Sequence, residues 1–265
     1  MAGAQLFTYH VHTEGPFLPN GTVALHITDN PTHAFSAPVG KSLLCSARLG
    51  LRDLVSALPA ANRAGPPRWE RPTPPQLVDP MSGEAVLHLL GELMPARSVV
   101  VEEAPSYRTA LRTHLPIAEP GGFFNGFSGG LGWGLPAAVG VAMADPEHRT
   151  VAVIGDGSMM YSIQALWTAA KYRVPLTVVV LNNAEYSAMK QFKTLFQIPS
   201  FPAAIETSLD LPGIDLVAVA QGMGLAAVRI DSCSRLFDAL RSALTSAGPA
   251  LVDVTVRAAR GVGPL

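Results

Sequence analysis

The sequence predicts an α/β protein whose larger part is a doubly wound parallel sheet, and two observations carry that prediction. Between Val99 and Val256, short β-branched runs alternate with stretches long enough to be helices, the pattern of strands covered on both faces by crossover helices. Directly after one of those runs stands Gly155-Asp156-Gly157-Ser158, at a strand carboxyl end, where folds of this class place their ligands.

Taken in chain order, the amino terminus lacks the basic-then-apolar order of a secretory signal. No apolar run reaches the roughly 20 residues needed to span a bilayer, so a soluble, cytoplasmic chain is expected. Leu6 to Tyr9 already reads like the interior of a folded domain, so a split or truncated chain is also expected. Thr22 to Thr28 alternates as a strand does, and Lys41 to Leu58 reads as a helix with Leu43, Leu44, Leu51, Leu54 and Leu58 on its apolar side. Residues 1–58 are too few to form a complete domain with these elements. From Pro59 to Pro80 there are seven prolines, a density that forbids a continuous helix or a central strand and marks a linker. Residues 81–265 then form the main domain, with strands expected at Val99 to Glu102, Val151 to Ile154, Leu176 to Leu181, Ala226 to Ile230 and Leu251 to Val256.

Composition narrows the function. With 48% hydrophobic and 15% charged residues and a net charge of -1, the chain has no basic surface for nucleic acid or an anionic membrane. Two cysteines, Cys45 and Cys233, make neither a disulfide framework nor a thiolate metal site; both are expected to be buried fillers.

The turn at Gly155 to Ser158 precedes an expected helix from Tyr161 to Tyr172. Its glycines admit a phosphate close to the backbone, the helix start offers N–H groups, and Asp156 can hold a divalent cation against phosphate oxygens. By itself the tetrapeptide is as consistent with an ordinary turn. The next strand ends in Leu181-Asn182-Asn183, which brings a second oxygen-bearing side chain to the same sheet edge, although Asn182-Asn183 is also an ordinary helix-capping turn. Magnesium takes about six oxygens and shares them among protein, phosphate and water.

The segment Gly155 to Asn183, GDGSMMYSIQALWTAAKYRVPLTVVVLNN, resembles the cofactor signature of thiamine diphosphate enzymes. Ser128-Gly129-Gly130-Leu131-Gly132 is similar to the glycine-rich entry to the same site. Within the family the chain looks most like the carboxyl-terminal half of the benzoylformate decarboxylases, through Gly129 to Gly140 and Ser162 to Pro175. The resemblance implies the diphosphate-anchoring thiamine diphosphate fold, preceded by a fragment of a Rossmann-like middle domain. It implies Mg2+ held by the side chains of Asp156 and Asn183 and by the Glu185 carbonyl. Gly157, Ser158 and Ser106 would bind the diphosphate, with Tyr186 beside them. The Gly129 carbonyl would meet the aminopyrimidine and Leu131 would sit under the bent cofactor. The implied chemistry is carbon dioxide loss from a 2-oxo acid, an aromatic one favoured, with the cofactor as electron sink.

His10 has an exposed or core position as its plain reading. The segment Phe7 to His10 with Pro16 and Pro19 resembles the part of the family that sends a histidine into the active site, and an imidazole suits the proton transfer after carbon dioxide is lost. Ala188, Met189 and Phe192 fall on a helix expected after Asn183, with Met189 and Phe192 on one face; such a stripe is usually core, and by resemblance it lines the substrate pocket. Family members also carry a pyrimidine-binding domain whose glutamate acts on the cofactor, and Glu14, Glu84, Glu102 and Glu103 sit in no matching motif. The expectation is therefore an oligomer, with that domain supplied by another chain or missing from this sequence. Acetolactate synthase-like carboligation and a non-catalytic cofactor-binding subunit are the alternatives. A nicotinamide-binding domain is disfavoured, since no GxGxxG follows the first strand.

Overall fold

The computed structural model describes residues 1–4, 18–62, 64–65, 67, 70–117, 119–126, 129–195, 198 and 202–258, and the chain forms two compact units, Met1–Arg68 and Trp69–Leu265.

The first unit is a small αβ piece. Strands β1 (Leu25–Thr28) and β2 (Lys41–Leu44) pair in parallel, joined through α1 (Pro31–Phe35) and followed by α2 (Ala47–Ala57). Asn30 caps α1, its side chain accepting from the amides of Thr32 and His33. The expected helix from Lys41 to Leu58 is therefore corrected. Its first turn is a strand, because Gly40 turns the chain at φ +82° and residues 41–44 take β1 as a partner. Leu43 and Leu44 consequently leave the helix face and stand exposed.

The second unit is a six-stranded, wholly parallel sheet with helices on both faces. Its elements run α3 (Gly83–Leu93), β3 (Val99–Glu103), α4 (Arg108–His114), β4 (Phe123–Asn125), α5 (Gly134–Ala144), β5 (Thr150–Gly155), α6 (Asp156–Met160) and α7 (Ala165–Tyr172). They continue with β6 (Leu176–Asn182), α8 (Ser187–Leu195), α9 (Ala203–Ser208), α10 (Leu216–Gly222), β7 (Ala226–Ile230), α11 (Cys233–Leu244) and β8 (Ala250–Thr255). The strand order is β4-β3-β5-β6-β8-β7. Every strand expected in this unit is present within a residue of its ends, and β4 is an addition, whereas in the first unit the strand expected from Thr22 begins only at Leu25.

Period-two alternation splits the apolar side chains into two cores. Val151, Val153, Val179 and Leu181 pack with Leu87 and Leu90 of α3, Leu111 of α4 and Leu236 and Leu240 of α11. Ala152, Ile154, Val178 and Val180 point the other way, into Leu135 and Val139 of α5, Leu166 of α7 and Leu216 of α10. At ~25 cal/mol per Å2 of buried apolar surface, two such layers are the main favourable term of the fold. The expected helix from Tyr161 to Tyr172 is corrected to two: α6 begins at Asp156, and Tyr161 to Gln164 turn the chain into α7. The cysteines are not buried fillers either, since Cys45 and Cys233 are both partly exposed. No helix among the described residues is long and apolar enough to cross a membrane.

The topology fixes where a ligand can sit. From β3 the chain moves outward to β4 and then returns to β5 on the other side of β3. The carboxyl ends of β3 and β5 therefore flank the switch point, where diverging crossovers leave a crevice.

Candidate cofactor-anchoring site

Strands β5 and β6 are neighbours in register, with Gly155 opposite Leu181. Asp156 and Asn183 thus leave adjacent strands at the same edge. Asp156 opens α6 and is buried, with 6% of its surface exposed. Desolvation pushes its carboxyl up to about 6, against the opposing pull of backbone N–H donors from Gly157 and Ala184. Among the described residues no basic side chain pairs with it. A buried carboxylate held only by amides fits a cation as the missing partner. No cluster of three or more His, Cys, Asp or Glu able to hold a metal occurs among the described residues. A cation here would rely on the one carboxylate, amide and carbonyl oxygens, and a ligand's phosphates, the donor set magnesium commonly accepts.

Gly157 is sterically required. A Cβ there would lie 2.5 Å from Tyr186 Cε1 and 3.1 Å from Leu211 Cδ1. Ser158 is buried in the same turn, and no side chain caps α6, which leaves its first turn to other acceptors.

The two asparagines have different tasks. Asn182 donates through Nδ2 to Asp253 Oδ1 at 2.9 Å and accepts the Ala184 amide at 3.1 Å. Asp253, fully buried, is in turn held by Arg229 Nε at 3.0 Å. Asn183 accepts the Glu185 amide at 3.2 Å and donates to Ser187 Oγ at 2.9 Å and to the Tyr107 hydroxyl at 3.4 Å. Both asparagines thus close local turns ahead of α8, which begins at Ser187, and the Asn183 oxygen keeps a second lone pair. Ala184 takes a left-handed φ of +55°, a strained conformation for a side-chain-bearing residue at a prospective ligand site. The Glu185 side chain turns away, to Ser187 Oγ and Lys190 Nζ. Two backbone bonds, Tyr186 N to Leu209 O at 2.8 Å and Leu211 N to Ala184 O at 2.7 Å, pin this turn to residues 209–211.

Ser106 lies in a 3-10 turn, Pro105–Tyr107, directly after β3, on the crevice side of β5. The glycine-rich loop enters from β4: Gly129 is exposed at φ +72°, Leu131 is half-buried, and Gly132 has φ +93°. Its support was not legible in the sequence. Glu103, at the end of β3, accepts the Gly132 amide at 2.6 Å and also the Gly134 amide. Burial raises its carboxyl, and the glycine amides pull against that rise. Its neighbour Glu102, fully buried, accepts Arg108 Nε at 3.0 Å and the Ala104 amide at 2.8 Å. Both glutamates thus shape the turn and loop that flank the crevice.

Ala188, Met189 and Phe192 lie on α8, which begins at Ser187, one residue after Tyr186. Met189 is about half exposed and the other two are half-buried. His10, Leu6 to Tyr9, Pro16 and Ser128 lie outside the described residues.

A wholly parallel sheet with a buried carboxylate and two glycine-bearing turns at its switch point has the architecture of an α/β ligand-binding domain. Residues 105–254 match the family model of the thiamine pyrophosphate enzyme carboxyl-terminal TPP-binding domain, and the chain belongs to that family. It is 36% identical to a benzoylformate decarboxylase of Pseudomonas aeruginosa over 257 residues, 96% of this chain and 47% of the relative. It is 31% identical to the large subunit of acetolactate synthase isozyme 2 of Escherichia coli, over 71% of this chain and 34% of the relative. The structure superposes on benzoylformate decarboxylase from Polynucleobacter necessarius with a TM-score of 0.89 and 32% identity, covering 100% of this chain and 49% of the other. On the thiamine diphosphate-dependent 4-hydroxybenzoylformate decarboxylase of Rhodococcus jostii the TM-score is 0.88 at 31% identity, covering 97% and 48%. The chain spans about half the length of these decarboxylases.

Proposed function

We propose that this chain is the diphosphate- and metal-anchoring half of a thiamine diphosphate-dependent 2-oxo acid decarboxylase, with an aromatic 2-oxo acid of the benzoylformate type as substrate. The observation that carries the reading is Asp156: a buried carboxylate with no basic partner among the described residues, at the same sheet edge as Asn183 and next to the switch point. The 36% identity to a benzoylformate decarboxylase supports the substrate class.

In this reading Asp156, Asn183 and the Glu185 carbonyl hold Mg2+, while Ser106, Gly157 and Ser158 hydrogen-bond the diphosphate beside Tyr186. The Gly129 carbonyl orients the aminopyrimidine and Leu131 supports the cofactor from below. When bound, thiamine diphosphate supplies the carbon nucleophile for the 2-oxo group and the electron sink for carbon dioxide loss. Ala188, Met189 and Phe192 line the substrate side, and His10 returns the proton. Residues 1–58 are the end of a middle domain, 59–80 the linker and 81–265 the anchoring domain. The pyrimidine-binding domain comes from another chain or from sequence outside this one, in a cytoplasmic oligomer. Exposed apolar residues on the anchoring unit, Met143, Met160, Tyr161 and Trp167 among them, suit such an assembly. The match to an acetolactate synthase large subunit supports carboligation as the second reading.

The test is a calorimetric titration with thiamine diphosphate in excess Mg2+, for the wild type and Asp156→Ala. Binding lost in the variant is expected. A folded chain that binds equally with and without the Asp156 carboxylate would refute the anchoring role.

A further inference from the structure

The side-chain amide of Asn183 has two ends, and a divalent cation can be met only by the oxygen, since the NH2 group is a donor. Which end faces which way follows from the partners. The Glu185 backbone N–H can only donate, and it points at Asn183 Oδ1 at 3.2 Å. Around Nδ2 stand two hydroxyls, each able in principle to give or to take a proton. Both protons are already committed. The Tyr107 hydroxyl donates to the Arg257 carbonyl at 2.9 Å, so its oxygen is left to accept the longer bond from Asn183 Nδ2 at 3.4 Å. The Ser187 hydroxyl donates to Glu185 Oε1, so its oxygen accepts Asn183 Nδ2 at 2.9 Å. Lys190 Nζ, a donor only, holds the other Glu185 oxygen and also Asp210 Oδ1, the latter at 2.5 Å. Tyr107 and Ser187 are 3% and 2% exposed, which keeps bulk water from replacing these partners. The Tyr107 ring is seated on Gly83, where an added Cβ would lie 2.4 Å from it.

We infer that Ser187 and Tyr107 are positioning residues that fix the Asn183 amide through a one-way chain of hydrogen bonds, from Asn183 through Ser187 to the Glu185 carboxylate and through Tyr107 to the Arg257 carbonyl, so that only the Asn183 oxygen is available to a divalent cation. The inference rests on the cofactor reading above. Neither residue is a ligand in that reading, and each acts through Asn183. If the amide turned over, its NH2 would face the Glu185 N–H, and its oxygen would face two oxygens whose protons point elsewhere. Turning it therefore gives up three hydrogen bonds. The orientation is set by the protein's own groups, as partners behind a metal ligand commonly do.

The test uses the full chain. Mg2+ is titrated calorimetrically at saturating thiamine diphosphate, and exchange of the Asn183 side-chain NH2 protons is followed by NMR without ligand. Ser187→Ala should weaken Mg2+ binding by roughly ten- to a hundred-fold and speed that exchange, while Ser187→Thr, which restores the hydroxyl, should keep both near the wild type. Tyr107→Phe, which removes the longer bond and keeps the ring, should weaken binding by roughly three- to ten-fold. Glu185→Gln is the directional variant. With Lys190 on its oxygen, the side-chain amide would donate to Ser187 Oγ and release the serine proton toward Asn183, so Mg2+ binding should weaken. In the Ser187→Ala background the same change should add almost nothing, because the chain is already cut. Additive losses would mean that Glu185 acts by charge alone, and equal losses in Ser187→Ala and Ser187→Thr would mean packing alone. Either result would overturn the inference, as would Ser187→Ala binding Mg2+ as tightly as the wild type. A folded wild type that binds neither Mg2+ nor cofactor while its Asn183 protons stay protected would instead sink the proposed function, and with it the metal role of these two residues.

Discussion

Asp156→Asn should make the cofactor-free chain more stable while it abolishes Mg2+-dependent cofactor binding. The wild-type carboxyl is pushed from 3.8 to about 6, mainly by burial. Each factor of ten in proton affinity is worth about 1.4 kcal/mol, so the ionised group penalises the folded state by about 3 kcal/mol. The folded carboxyl holds its proton more tightly than the unfolded one. Between about pH 4 and pH 6 the native state therefore binds more protons, and stability falls as pH rises through that window. Asparagine keeps an acceptor for the amides and removes the charge. The expected gain is about 1–3 kcal/mol at about pH 7.5, shrinking to nothing near pH 4. Urea unfolding of both proteins at several pH values measures it. With Mg2+ and cofactor at about a hundred times their dissociation constant the order should reverse, because ligand then adds about 2.7 kcal/mol to the wild type alone. A variant less stable than the wild type at neutral pH, or a gap that ignores pH, would show that the Asp156 charge is already compensated in the folded chain and would refute the argument.

Gly157→Ala should lower stability by about 1–3 kcal/mol through overpacking against Tyr186, read as a drop in thermal midpoint together with weaker cofactor binding. Arg149→Met should cost about 1–3 kcal/mol in urea unfolding, because Arg149 donates to the carbonyls of Leu244 at 2.9 Å and Ala243 at 2.9 Å, closing the end of α11, and Thr177 Oγ1 remains as a donor to the Ala243 carbonyl alone. The buried His88–His114 pair, Nδ1 to Nδ1 at 3.3 Å, is faced by Glu84, Glu92 and Arg71. Burial and His88 lower His114, so the native state binds fewer protons than the unfolded chain and loses stability as pH falls below about 6.5. A His114→Phe variant should flatten that acid loss relative to the wild type in unfolding measured from about pH 7 down to pH 5.

The strands of the main sheet were legible because both faces are covered, so that Val151–Ile154 and Val178–Leu181 are continuous apolar runs. The edge that carries Asp156 and Asn183 was legible for a related reason: a glycine-aspartate turn and an asparagine pair each follow or end a strand, and neighbouring parallel strands bring their ends together. Residues 41–44 misled because Leu43, Leu51 and Leu54 also fit a helical stripe, and only the pairing with β1 decides between them. Phe123–Asn125 was invisible as a strand, being three residues at an edge with no period to detect. The supports of the site were hidden by distance along the chain. Glu103 reaches Gly132 across 29 positions, Tyr107 meets Asn183 across 76, and Asp253 holds Asn182 across 71; no local pattern announces such partners.

The spacing of Asp156 and Asn183 has a physical meaning that the motif alone conceals. The chain leaves the carboxyl end of β5 through the five residues of α6, redirects over Tyr161 to Gln164, and descends through the eight residues of α7. Arg173, left-handed at φ +50°, closes α7 by giving its amide to the last carbonyls, and the chain then climbs the seven residues of β6. Asn183 arrives at the sheet edge of Asp156 only if that circuit closes in register, with Thr150 opposite Leu176 at one end and Gly155 opposite Leu181 at the other. Side chains alternate between the faces of a strand, so a slip of one residue in β6 would turn Val178 and Val180 out of their core. In one direction it would also bring Asn182, which Asp253 now holds, to the place of Asn183. The apolar pattern of β6 therefore selects which asparagine stands at the place of Asn183, and in this way core packing sets the geometry of the candidate site.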